Sequence, residues 1–98
     1  HGYLVRSFNT IEDFFFHLIH QHWQPQLLIC DINLGGQRNF FDLLEGYKKR
    51  QLPQVPILAI SGETDPAVQE RLAAEDIPLL RKPVKPAKLL MAINHILL

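Results

Sequence analysis

Three short apolar runs constrain this chain more than any other feature: Leu27-Leu28-Ile29-Cys30, Ile57-Leu58-Ala59-Ile60 and Ile77-Pro78-Leu79-Leu80. Each is too short for a helix, carries no polar alternation and is bounded by turn signals. Such runs predict strands covered on both faces, which is the situation of a parallel α/β sheet. The intervening segments have helical spacing. Thr10 and Asp13 stand as N-cap and N3 residue ahead of Phe14, Phe15, Leu18 and Ile19. Phe40, Phe41, Leu43, Leu44 and Tyr47 make a second apolar face that ends in Lys48-Lys49-Arg50, favourable at a helix C-terminus. Thr64-Asp65-Pro66 reads as a cap and first-turn proline ahead of Val68, Leu72 and Ala73. Pro86 opens a last helix expected to turn Leu89, Leu90, Ile93, Ile96 and Leu97 inward.

A β-rich run at Tyr3–Ser7 predicts one further strand at the start, giving the order β-α-β-α-β-α-β-α. With right-handed crossovers the helices fall on both sides of the sheet, a doubly wound layout. Ninety-eight residues, 47% of them hydrophobic, suffice for one domain. Ten basic residues balance ten acidic ones, so no electrostatic footprint for nucleic acid or an anionic membrane is present. No apolar run approaches the ~18 residues of a membrane span. The single cysteine, Cys30, lies within an apolar run and reads as a small buried hydrophobe, in keeping with a reducing, cytosolic setting.

In open parallel sheets, ligands bind beyond the carboxyl ends of the strands. The sequence sets Asp31, Ser61 and Lys82 directly after its apolar runs, so an anion, a hydroxyl and a cation are expected on one rim. Each has a plain structural alternative: a cap or turn aspartate, a Ser-Gly turn, a solvated lysine. What distinguishes them is their joint occurrence at three consecutive strand ends. His17 and His20 share a helix face and His22 follows, but no Cys or acid stands at metal-ligand spacing, so a surface role is expected. Of Phe14-Phe15-Phe16, one ring should be exposed, and Trp23 should close the end of that helix.

This constellation resembles the receiver domain of two-component response regulators. Asp31 in "ICDINL" resembles the phosphoacceptor, Ser61 in "AISG" the Ser/Thr that ends the family's fourth strand, and Lys82 in "LRKPV" the lysine before a proline. Their separations of 30 and 21 residues are those of the family. The tail "PLLRKPVKPAKL" is similar to receivers at the C-terminus of hybrid sensor histidine kinases. The resemblance implies a flavodoxin-like doubly wound parallel sheet over residues 1–98, truncated at the N-terminus because it starts at the family's second strand. It implies a cis bond before Pro83, and Mg²⁺ held by Asp31 and the backbone carbonyl of Asn33, the family's acidic pair being missing from this chain. Gly62 would keep the backbone beside Ser61 open. Leu79 stands where many members carry a switch aromatic. The implied function is acceptance of a phosphoryl group by Asp31 from a histidine kinase or phosphotransfer domain, in the cytoplasm. The last strand and helix would serve docking or a homodimer, with no nucleic-acid or membrane contact. One alternative is a degenerate receiver that acts only as a binding module. A more distant one is an α/β hydrolase fragment with Ser61 as nucleophile, which lacks the glycine two residues before the serine.

Overall fold

The computed structural model describes residues 4–21, 23–32, 40–62 and 65–98. In chain order the elements are α1 (Ile11–His20), β1 (Leu28–Asp31), α2 (Phe40–Lys49), β2 (Ile57–Ser61), α3 (Pro66–Ala74), β3 (Leu79–Arg81) and α4 (Pro86–Leu97). The strands form one parallel sheet in the order β1-β2-β3.

Of the strand expected at Tyr3–Ser7, Tyr3 lies outside the described residues and residues 4–7 form no strand. Residues 4–7 pair with no strand among the described residues, and Leu4 and Val5 are 101% and 80% exposed. A strand persists only where a ladder partner and a covered face offset its ordering entropy, and this segment has neither. Its end is nevertheless anchored. The Phe8 ring lies 5.5 Å from Phe14 and 5.8 Å from Trp23, and the Arg6 guanidinium sits 5.3 Å over the Trp23 ring. The last strand starts at Leu79 rather than Ile77. Pro78 has no N–H to give a ladder, but its carbonyl accepts a hydrogen bond from Ala59 N at 2.9 Å.

Strand alternation puts Leu28, Cys30, Ile57, Ala59 and Leu79 on one face. Two core clusters build on that face. Ile11, Phe14 and Phe15 of α1 meet Leu28 and Leu43. Phe40 and Leu44 of α2 meet Ile32, Ala59 and Leu72 of α3. Thr10 caps α1 by accepting the Asp13 N–H at 3.0 Å. Ile19, expected inside, is 43% exposed. On the helical wheel it lies about 80° from Ile11, at the margin of the buried stripe. Phe16 is the exposed ring of the triplet, tilted against His20 at 4.6 Å.

At Gly46, α1 and α2 approach closely. A Cβ there would stand 2.7 Å from the Phe15 ring, which the Arg50 guanidinium covers from 4.2 Å. Asp65 caps α3, its carboxylate accepting the Ala67 N–H at 2.9 Å with Pro66 in the first turn. Thr64 lies outside the described residues. Gln51 and Asp76, just past α2 and α3, take left-handed conformations (φ 52° and 57°), the reversal that commonly ends a helix. The inward residues expected of α4 are only half-buried, and none of its side chains is fully buried.

Candidate functional site

The parallel ladder itself assembles the rim. Pairing of Asp31 with Ile60 and of Ser61 with Arg81 brings the carboxyl ends of the three strands level. Ile32 N donates to Ile60 O at 2.8 Å, and Lys82 N donates to Ser61 O at 2.9 Å. Asp31 and Ser61 close their strands and Lys82 follows β3 by one residue. The Lys82 ammonium donates to Asp31 Oδ2 in an ion pair whose side chains are half and one-third exposed. Ser61 is buried at 4% exposure beside that pair. The Lys82–Pro83 peptide bond is cis. Asn33 lies outside the described residues.

The Asp31–Lys82 pair is open to water, where such pairs contribute at most about 1 kcal/mol. Stability therefore gives little reason for it, and its electrostatic use falls on whatever reaches the rim. Gly62 is less constrained than expected. A methyl built on it would lie 3.8 Å from Lys82 Cδ, an ordinary contact, so sterics beside Lys82 do not demand glycine.

Among the described residues no group of three or more His, Cys, Asp or Glu side chains comes together to hold a metal. Among the described residues, the Asp31 carboxylate faces the Lys82 ammonium. A hard divalent cation seeks several oxygen ligands, so the described residues do not by themselves fit Mg²⁺. His17 Nδ1 lies 3.1 Å from the Asp13 carbonyl within its own helix, and its ring packs 5.0 Å from Phe8. His22 lies outside the described residues. Neither His17 nor His20 approaches the rim through its contacts.

Cys30 immediately precedes Asp31 but is not part of the chemistry. Burial pushes its thiol up to about 12, which keeps it protonated and unreactive at neutral pH. Tyr47 is driven upward too, first by burial and then by the neighbouring Cys30. Its hydroxyl is buried with no hydrogen-bond partner among the described residues. A hollow of about 210 Å³ between Leu18, Trp23, Pro25, Tyr47, Leu52 and Val55 lies at the amino ends of the strands, opposite the rim. Leu79 packs against the α2–α3 cluster as an ordinary core residue. No helix among the described residues is long and apolar enough to cross a membrane.

No family model matches the sequence. No curated protein matches it either. Solved structures do match its fold. One is a fusion protein bearing the trimeric coiled coil of yeast Spc42, with a TM-score of 0.79 and 22% identity over 98% of this chain and 61% of that one. Another is the signal receiver domain assigned to a Luxo repressor protein from Vibrio parahaemolyticus, with a TM-score of 0.75 and 19% identity over 92% of this chain and 67% of that one. The chain thus spans about two thirds of the length of these structures. Among the described residues, the three-stranded parallel sheet with four helices has the receiver-like, flavodoxin-type fold.

Proposed function

We propose that the chain is a receiver module that accepts a phosphoryl group on Asp31 from a phosphohistidine of a histidine kinase or phosphotransfer partner. The observation that carries this reading is the rim itself. A carboxylate, a buried hydroxyl and an ammonium occupy three adjacent strand ends, and the ammonium already rests on the carboxylate.

In the proposed reaction an Asp31 carboxylate oxygen attacks phosphorus. The new O–P bond forms as the donor's P–N bond breaks, and the donor imidazole regains its proton from solvent. Such transfers pass through a loose transition state, so positioning and charge neutralisation supply most of the catalysis. Lys82 would move from the carboxylate to a phosphoryl oxygen, a role suited to a compact ammonium on a flexible stem. Ser61 would donate its hydroxyl to a second oxygen. The product adds a charge of about −1.5 to −2 at the rim, which is the signal. If a cation takes part, it needs ligands beyond those described beside Asp31. Membership of a hybrid kinase, with cytoplasmic placement, belongs to the same proposal and rests on the similar tail around Lys82.

Intact mass after incubation with a small-molecule phosphodonor, with and without Mg²⁺, tests the reading. One phosphoryl adduct is expected on the native chain, none on Asp31→Asn, and a lower yield on Lys82→Ala. Absence of an adduct from folded native protein under both conditions would sink the phosphoacceptor role. It would leave the second reading, a phosphorylation-independent binding module, which keeps the fold without the transfer.

A further inference from the structure

Among the described residues β1 is an open edge of the sheet: β2 pairs one side of it and no strand pairs the other. Leu28 and Ile32 donate their N–H groups to Pro56 and Ile60 on the β2 side. Strand alternation therefore turns the N–H and C=O of Ile29 toward the open side. The Ile29 side chain is 43% exposed, although isoleucine is among the residues most often buried. Such an edge is a template for a further strand. The same chain carries a β-rich segment with no ladder. Arg6 Nη1 donates to Gln21 Oε1 at 3.4 Å, and the Phe8 ring lies 5.0 Å from His17, so residues 6–8 lean on the α1 side of their own chain. Ahead of them Leu4 and Val5 project into water.

We infer that two copies of this chain exchange these segments, residues 4–6 of each adding a parallel strand to the open β1 edge of the other. One register matches every position. With Leu4 beside Ile29, Val5 falls beside Cys30 on the core face and Arg6 beside Asp31. Apolar meets apolar at the first two pairs, and a cation meets an anion at the third. In this register the Val5 N–H donates to the outward C=O of Ile29. A slip of one residue would turn Arg6 onto the core face and Val5 away from it. Any strand would satisfy the Ile29 backbone, but the order Leu-Val-Arg answers Ile-Cys-Asp position by position, which selects a second copy. Arg6 gives up only its surface contacts with Gln21 and Trp23 to make the pairing. Exchange of an identical element closes a two-fold dimer with two equivalent seams. The inference concerns association and stands whether or not Asp31 accepts a phosphoryl group.

Sedimentation velocity over a concentration series tests it. The native chain is expected to shift from the mass of one copy toward that of two. Ile29→Lys places a charge on the open edge, and Val5→Pro removes the donor to Ile29, so each should weaken dimerisation at least about tenfold. Arg6→Glu should weaken it less, by a margin that shrinks as salt rises. A mixture of Ile29→Lys and Val5→Pro should associate more tightly than either variant alone, because the segment of the first fits the edge of the second in one intact seam. Val5 lies outside every helix and strand, so Val5→Pro keeps the test decisive even if circular dichroism shows Ile29→Lys unfolded. A folded native chain that stays monomeric throughout would overturn the inference. A dimer indifferent to Val5→Pro would overturn it as well, by placing the contact on another surface or between two β1 edges. So would a mixture of the two folded variants no tighter than its parts.

Discussion

Helices α2 and α4 are similar in length and both amphipathic, yet they are held very differently. α2 buries Phe40, Leu43, Leu44 and Gly46 between its neighbours. α4 contributes to neither core cluster and leaves Met91 71% exposed. The contrast teaches that an apolar stripe fixes which side of a helix turns inward but not how deeply it sinks. Depth requires surfaces that close from several directions, and α2 has them in α1, α3 and the Cys30–Ala59 face of the sheet.

The sharpest way to break this comparison is to empty its deep side. Phe40 is 0% exposed, so Phe40→Ala should cost about 3–5 kcal/mol in urea unfolding. A loss below about 1 kcal/mol would mean that α2 is no better held than α4. Next comes Gly46→Ala, which should lower stability by about 1–3 kcal/mol, because its methyl would collide with the packed Phe15 ring. The higher helix propensity of alanine offsets only about 1 kcal/mol of that, and a more stable variant would refute the close packing of α1 on α2.

A smaller effect concerns pH. Cys30 ionises at about 12 in the fold against 9.0 for an unperturbed thiol, so the folded state holds its proton more tightly. This stabilisation is complete below about pH 9 and declines as pH rises toward about 12, with Tyr47 pulling the same way. Chemical unfolding across that range should show the decline, and Tyr47→Phe should flatten part of it. Smallest of all, Met91→Lys should shift stability by no more than about 0.5 kcal/mol, since the side chain already lies in water. A cost comparable to that of Phe40→Ala would erase the distinction between the two helices.

The sequence was most legible where local chemistry and periodicity agreed. Thr10 announces a cap and makes one, Pro66 opens α3, and the three apolar runs become the three strands. The juxtaposition of Asp31, Ser61 and Lys82 followed from strand ends alone, because a parallel sheet aligns them. Other features depended on neighbours that no local pattern reports. Tyr3–Ser7 has strand-forming residues, but the described residues offer it no ladder. Ile19 fits the helical repeat, yet sits at the margin of its stripe. Pro78, an apolar neighbour in the sequence, serves the sheet only through its carbonyl.

The hydrogen bonds from Ile32 to Ile60 and from Lys82 to Ser61 carry a further consequence. They fix the spacing of the rim residues through the backbone of the sheet, independently of the segments that leave it. Insertions or deletions after Asp31 or Ser61 therefore have room to accumulate without pulling the carboxylate and the ammonium apart. Relatives of this chain could diverge in what surrounds the rim while inheriting the rim itself, and change partners without having to reinvent the site.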